Sequence, residues 1–286
     1  MILDCSTVAS SRACLCEMFN ISEDQLNGFL RFRTNPTNIL GRMDRVEPLH
    51  EVICRSFLDV FGDIQVVPEE VIWFHASRMK KNVHFHKEYL EHGLLPLDSM
   101  LMKRVWESLF ELVALRITPE EWTEFWVSFE FTERGRKYGS LWRGPSSEVA
   151  GPHALLVRDS IYVIQPDSRK NYLSGSTLVR DICDEFALHF DLDLYRLYLK
   201  ATTPIIVKFI HPAFSPDFLQ GVLFHVWMRF HRLFGLLDPR RVSFSGVGQS
   251  VPAASILDVE RLDGIMPAEW VDDDGWGYDD EWGDEE

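Results

Sequence analysis

The segment at positions 75–78 carries an imidazole, a hydroxyl and a guanidinium close together in the sequence. His75, Ser77 and Arg78 follow a continuous apolar run of the kind that forms a centrally buried strand. A guanidinium donates paired hydrogen bonds to phosphate, and histidine and serine side chains fix sugar hydroxyls. The group therefore predicts a site for a diphosphate ligand that carries ribose. The alternative is a strand-end histidine that only caps backbone groups.

The elements around this segment are predicted from local patterns. The apolar run Val-Ile-Trp-Phe at 71–74 predicts a buried strand, and a helix is expected over 85–92. Gly93 follows that helix as a residue in the left-handed region, and Leu-Leu-Pro-Leu at 94–97 then leaves it in an extended form. A strand, a helix and a turn thus follow one another within a short stretch.

The rest of the chain predicts helices and strands in irregular alternation, which is typical of an α+β fold. Capping boxes are expected at Ser22 with Gln25 and at Thr118 with Glu121, the second before a helix with Trp122 and Trp126 in the core. Helices are predicted within 9–62 and over 218–234, and strands over 153–158, 161–164, 204–210 and 254–262.

A family resemblance attaches to the first of these segments. The string VIWFHASRMKKNVHFHKEYLEHGLLPL at 71–97 resembles the first conserved block of the ADP-ribosyltransferase fold, shared by NAD-using RNA phosphotransferases and DNA-targeting ADP-ribosyltransferase toxins. The stretches 151–158 and 251–256 are similar to later blocks. The resemblance implies a split, mixed or antiparallel sheet of that type at 63–268. Helical spacing predicts a helical N-terminal extension at 1–62, and charge density predicts a disordered acidic tail at 269–286.

The resemblance also implies roles for individual residues, with NAD as the substrate. His75 would hold the NAD ribose, and Ser77, Arg78 and Arg158 would complete the binding site. Tyr138, which follows a basic run, would stack on nicotinamide, although a solvated loop is the alternative interpretation of that segment.

The chain departs from the family pattern at the catalytic glutamate. Family members carry it a few residues before the valine-proline pair, where this sequence has Ser-Phe-Ser at 243–245. Candidate substitutes are Glu260, Gln249 and Glu185, and we take Glu260 as a catalytic candidate with His75 and Arg78. Transferases of the RNA phosphotransferase type work without this glutamate and rely on arginines.

Two functions remain open from the sequence. The first is an NAD-dependent ADP-ribosyltransferase-like enzyme that modifies a protein or nucleic-acid acceptor, as a toxin or phage-defence effector. The alternative is a non-catalytic binding or inhibitory protein that acts through its acidic aromatic tail. Residues 272–286 hold nine acids and no base, and interleaved aromatic residues suit docking to a basic, apolar groove of a protein partner.

Composition excludes several other classes. The chain has a net charge of −15 and 46% hydrophobic residues, and no apolar run reaches the length of a membrane span, so we expect a folded cytoplasmic protein. Five cysteines form no CxxC pair, the histidine pair 84 and 86 does not converge on a helix, and His225 and His231 are expected in the core or an interface, so no metal site is predicted.

Overall fold

The fold is a mixed α+β arrangement built around one sheet. The computed structural model describes residues 1–36, 48–81, 85–95, 99–139, 151–162, 172–212, 215–233, 242–246 and 249–262. The predicted fold class is confirmed at this level, because helices and a largely antiparallel sheet account for most of the described residues. No helix in these ranges combines the length and the apolar character needed to cross a bilayer.

Within the described ranges the sheet has six strands, in the spatial order β5-β3-β2-β4-β6, with β1 parallel to β2 at the start of that strand. All other pairings are antiparallel. The strands are β1 (Ile2–Leu3), β2 (Glu70–Lys80), β3 (His153–Leu155), β4 (Thr202–His211), β5 (Ser243–Ser245) and β6 (Ile256–Arg261).

The described ranges contain ten α-helices, one π-helix and three short 3-10 helices. The described α-helices are α1 (Val8–Phe19), α2 (Glu23–Gly28), α3 (Leu49–Phe61), α4 (Phe85–His92), α5 (Ser99–Glu111), α6 (Pro119–Phe131), α7 (Glu133–Arg136), α8 (Thr177–Phe190), α9 (Leu194–Ala201) and α10 (Phe218–Phe230). A π-helix at Phe29–Arg33 extends α2, and short 3-10 helices lie at Arg158–Tyr162, Tyr172–Ser174 and Ala253–Ser255.

Strand β2 is buried on both of its faces. Alternate residues of a strand point to opposite sides, so Val71, Trp73 and Met79 lie on what we name the front face, with His75 and Ser77 at the positions between them. Helices α1, α3 and α10 cover this front face in one hydrophobic cluster. The opposite, back face carries Ile72 and Phe74 and packs against the 3-10 segments.

A second cluster, which we name the helical core, is formed by α5, α6, α8 and α9. The predicted capping box at Thr118 is confirmed by hydrogen bonds in both directions with Glu121. Trp122 is fully buried in this core, as predicted, and Trp126 is half-buried against it. These four helices thus enclose a hydrophobic core that is separate from the clusters on the sheet.

Three strand predictions needed correction. The strand predicted over 153–158 ends at Leu155, and the strand predicted at 161–164 is wrong because Ile161 and Tyr162 lie in a 3-10 turn. Asp159 and Ser160 favour that turn, and it places Ile161 in the back-face cluster. The third prediction, 254–262, begins later than expected because 253–255 forms a 3-10 turn before β6.

The proposed division of the chain is not a division of its cores. Helices α1 and α3 of the predicted 1–62 extension pack into the same cluster as β2, so they belong to the packing of the sheet. The boundaries 1–62 and 63–268 stay predictions. The tail predicted at 269–286 lies outside the described residues.

Gly93 provides a test of how α4 is joined to the sheet. Its φ is +68°, and a Cβ atom there would lie 2.0 Å from the backbone oxygen of Val251. We expect Gly93→Ala to lower the free energy of unfolding by roughly 2 kcal/mol, measured by urea denaturation. Gly28→Ala is the matched control, because Gly28 has helical φ and open space around it. An equal effect of both substitutions would contradict the assignment.

Candidate functional site

The chain segments predicted to form the site come together on the sheet. Leu94 and Val251 exchange two backbone hydrogen bonds of 3.0 and 2.8 Å, which ties the turn after α4 to the valine-proline segment. Helix α4 also packs on β6, and β3 runs beside β2. The described residues within 71–97, 151–158 and 251–256 are therefore neighbours in the fold.

His75 is held in one tautomer by its neighbour strand. Its Nδ1 lies 2.6 Å from the backbone oxygen of His153, and a carbonyl only accepts, so Nδ1 carries the proton and donates. Burial lowers the pKa of the imidazole. The neutral ring then presents Nε2 as an acceptor, and Nε2 has no hydrogen-bond partner among the described residues.

Arg78 lies on the back face of β2, opposite His75, because the two positions differ by an odd number of residues. Its guanidinium donates to the backbone oxygens of Leu173, Leu199 and Thr202 at 2.7, 3.1 and 3.0 Å. It also donates to the Thr202 hydroxyl at 2.9 Å and lies over the Tyr198 ring.

The predicted grip of Arg78 on a diphosphate beside His75 is therefore corrected. A ligand on the front face is separated from the guanidinium by the sheet itself. Four of the hydrogen bonds that this fork can make go to protein acceptors. Ser77 does share the front face with His75, two residues along the strand, and is half-buried.

Arg158 and Glu260 form a bidentate ion pair on the back face. The two donor–acceptor distances are 3.2 and 2.5 Å, and the pair raises the pKa of Arg158. Glu260 is placed there by register, because it pairs with Ile206, a member of the back-face cluster. The structure thus brings Arg158 to Glu260 but brings neither of them to His75.

The remaining predicted residues lie elsewhere. Tyr138 packs against the helical core and donates its hydroxyl to Asp181 at 2.7 Å, so it is not assembled with His75. Burial and the Asp181 carboxylate raise its pKa. Glu185, an alternative catalytic candidate, pairs with Arg134 at 3.1 Å in the same helical region. Gln249, the third substitute for the family glutamate, lines a pocket on the front face, which is the face that carries His75.

That pocket, which we name the Trp73 pocket, was not found from the sequence. It has a volume of about 300 Å³ and is lined by the rings of Trp73, His211, Phe218 and Phe244. The sequence indicated only a core role for Trp73, because an apolar run does not show which ring edges remain open. The sequence does not show that β4 pairs with β2 and that β5 pairs with β3, and these pairings bring His211 and Phe244 to the side of Trp73.

Cationic side chains gather in a second cleft, on the back side of the sheet. It has a volume of about 420 Å³ and is lined by Lys80, Lys81 and Lys200 together with Tyr198 and Thr202. Lys80 pairs with Glu111 on α5. Positive charge at this end of the sheet therefore lies on the side away from His75.

Metal-binding and thiol chemistry find little support in the described part of the chain. No group of three or more histidine, cysteine or acidic side chains there is arranged to hold a metal. The five cysteines are free, and burial raises the pKa of the Cys5 and Cys183 thiols. The side chains of the histidine pair 84 and 86 lie outside the described residues.

Comparison with protein-family models, with curated proteins and with solved structures gives no match for this chain.

Arg78→Lys tests the structural role of the guanidinium. A lysine ammonium cannot reproduce the planar fork, so backbone acceptors at Leu173, Leu199 and Thr202 would lose partners. We expect a loss of about 3 kcal/mol in the free energy of unfolding, measured by urea denaturation. Arg196→Lys, at an exposed position of α9, is the control and should be neutral. Unchanged stability of Arg78→Lys would show that its contacts contribute nothing to the fold.

His225 lies in the core, as the sequence predicted, and gives the protein a pH dependence. It is 4% exposed on α10, and burial lowers its pKa to about 4, with Asp159 raising and Arg229 lowering it. Arg229 itself donates to Asp159 at 2.5 Å. The other core prediction, His231, is half-buried and hydrogen-bonded at 3.0 Å to the Leu30 oxygen.

This pKa predicts acid lability with a defined sign. The unfolded histidine, with a pKa of about 6.5, takes up a proton more readily than the folded one, so stability falls as pH drops from 6.5 toward 4. The contribution of His225 at pH 5 is a loss of about 2 kcal/mol. Urea denaturation at pH 7 and pH 5 should show a smaller loss for His225→Gln than for wild type, and an unchanged loss for exposed His92→Gln. The same loss in all three proteins would refute this assignment.

Proposed function

We propose that this chain binds NAD on the front face of its sheet, at His75, and transfers the ADP-ribosyl group to a protein or nucleic-acid acceptor. The observation that carries the proposal is the fixed tautomer of His75, which leaves an Nε2 acceptor on a half-buried strand position. The resemblance supplies the identity of the ligand. A role as a toxin or phage-defence effector follows from the resemblance alone.

The geometry of His75 suits a ribose. Ribose hydroxyls are donors, and a neutral imidazole whose Nδ1–H is already engaged offers them a single acceptor in a fixed direction. Ser77, on the same face, adds a hydroxyl that both donates and accepts. The proximity of the three segments 71–97, 151–158 and 251–256 supports the same assignment, since the resemblance spans all three.

The transfer step sets the demands on the rest of the site. The bond between ribose C1′ and the nicotinamide nitrogen breaks, and its electron pair leaves with nicotinamide. The acceptor nucleophile forms the new bond to C1′ and loses its proton. Electrostatic stabilisation of the cationic ribose in the transition state is the main requirement. Glu260 instead pairs with Arg158 on the back face. Its catalytic role stays a prediction that its contacts do not support.

A second candidate function is favoured by a specific observation. Arg78 and Glu260, two of the three predicted catalytic residues, are both engaged in contacts within the chain. Such a protein would bind its ligand at His75 without catalysing the transfer, and would act as a binding or inhibitory protein. The acidic aromatic tail would then supply the contact with a protein partner, and it lies outside the described residues.

His75→Asn tests the proposal with little disturbance of the fold. The asparagine amide can still donate to the His153 oxygen, but it removes the Nε2 acceptor. We expect NAD affinity, measured by calorimetry, to fall roughly tenfold, which corresponds to about 1.4 kcal/mol. His153→Ala is the matched control, because it keeps the backbone oxygen to which His75 donates, and its NAD affinity should equal that of wild type.

Labelled NAD incubated with cell extract separates the two functions. Transfer of label that is lost in His75→Asn supports the enzyme. Binding of NAD that depends on His75, without transfer or hydrolysis, supports the non-catalytic candidate. Absence of NAD binding to folded wild-type protein would overturn the first proposal.

A further inference from the structure

The Trp73 pocket lies on the front face, one row of side chains from His75 toward the start of β2. Its aromatic walls are tightly arranged: the Phe244 ring is 5.5 Å from Trp73 and 4.9 Å from His211, measured between ring centroids. Phe218 meets Trp73 edge to face at 5.3 Å. At these separations the rings contact one another and form a continuous aromatic wall on one side of the pocket.

Two buried polar atoms at this pocket have no partner among the described residues. They are Nε1 of Trp73 and Nδ1 of His211. Trp73 is 1% exposed, and both residues line the pocket. Buried polar groups are nearly always hydrogen-bonded, so the unpartnered indole N–H of a residue that lines a pocket favours an acceptor supplied from outside the chain.

The helical core provides a contrast. Trp106 and Trp122 also have buried Nε1 atoms without a partner in the described residues, but neither lines a described pocket. The feature that distinguishes Trp73 is therefore the combination of an unpartnered donor, a cavity and nearby polar side chains. Gln249 and Ser250 provide those side chains, whereas Ser243 and Ser245 alternate with Phe244 along β5 and place theirs on the other face of the sheet.

Charge restricts the ligand further. The described lining contains no lysine, arginine, aspartate or glutamate. Burial also lowers the pKa of His211, which favours its neutral form. Against the described lining a phosphate or carboxylate would meet no counter-charge, which favours a neutral ligand. The volume of about 300 Å³ lies at the lower end of the range of small-molecule sites.

We propose that the Trp73 pocket binds a neutral, planar heteroaromatic molecule of nucleobase size. Its ring packs among Phe244, Phe218 and His211, and one of its acceptor atoms receives the Trp73 indole N–H. The Gln249 amide and the Ser250 hydroxyl bind its remaining polar edge. This site does not depend on the function proposed for His75.

Adenine is the probe, and the indole N–H signals in ¹⁵N-labelled protein are the readout. Each of the nine tryptophans gives one such signal, and the signal lost in Trp73→Phe identifies Trp73. On titration with adenine to about 5 mM, a range suited to fragment-sized ligands, we expect the Trp73 signal to shift with saturation. The Trp122 signal, identified by Trp122→Phe, should stay in place.

Variants and comparison compounds make the result decisive. Trp73→Phe keeps an aromatic ring but removes the donor, and it should weaken adenine binding roughly tenfold, whereas Trp122→Phe and His75→Asn should leave it unchanged. Benzoate, which is planar but anionic, and cyclohexanol, which is neutral but not planar, should shift the Trp73 signal far less.

Three outcomes would overturn the inference. The Trp73 signal stays unmoved by adenine, as expected if water alone fills the pocket. Benzoate and cyclohexanol shift it as strongly as adenine does. Adenine binding is the same in Trp73→Phe as in wild type. Loss of NAD binding in His75→Asn with retained adenine binding would separate this site from the proposed NAD site.

Discussion

Strand β2 is buried on both faces, and the alternation of its side chains decides the surroundings of every candidate residue nearby. Trp73 and Phe74 are adjacent in sequence, yet one packs among α1, α3 and α10 and the other among the 3-10 turns. The same alternation separates His75 from Arg78. A sheet with two covered faces therefore creates two chemically distinct environments from one short peptide.

Arg78 connects the back-face cluster of the sheet to the helical core. Its guanidinium joins β2 to the junction of α9 with β4 and to the 3-10 turn at Tyr172–Ser174. A planar fork with several donors is well suited to a crossing point where backbone carbonyls would otherwise lack partners. The residue that looked most like a phosphate ligand in the sequence thus contributes to the joining of the sheet and the helical core.

The front face carries the arrangement that favours a ligand. His75 is neutral and holds a fixed tautomer, and Trp73 and His211 leave buried polar atoms beside an aromatic pocket. An unpartnered buried donor costs about 1–3 kcal/mol, and a ligand that accepts from Trp73 would offset that cost. Side chains on this face provide hydrogen-bonding groups and rings rather than charge, whereas lysines gather on the other side.

The sequence by itself determined the features that depend on neighbours along the chain. The buried strand at β2, the capping boxes at Ser22 and Thr118, and the left-handed Gly93 are local. The prediction that His75 and Arg78 share one ligand was wrong, because side chains alternate along a strand and these two lie on opposite faces. Only the tertiary structure decided the partners. His75 meets the His153 oxygen, Arg78 meets the Leu173 oxygen, and Trp73 meets Phe244, and each pair is far apart in the sequence. Strand order and packing, which local spacing does not encode, bring these groups together.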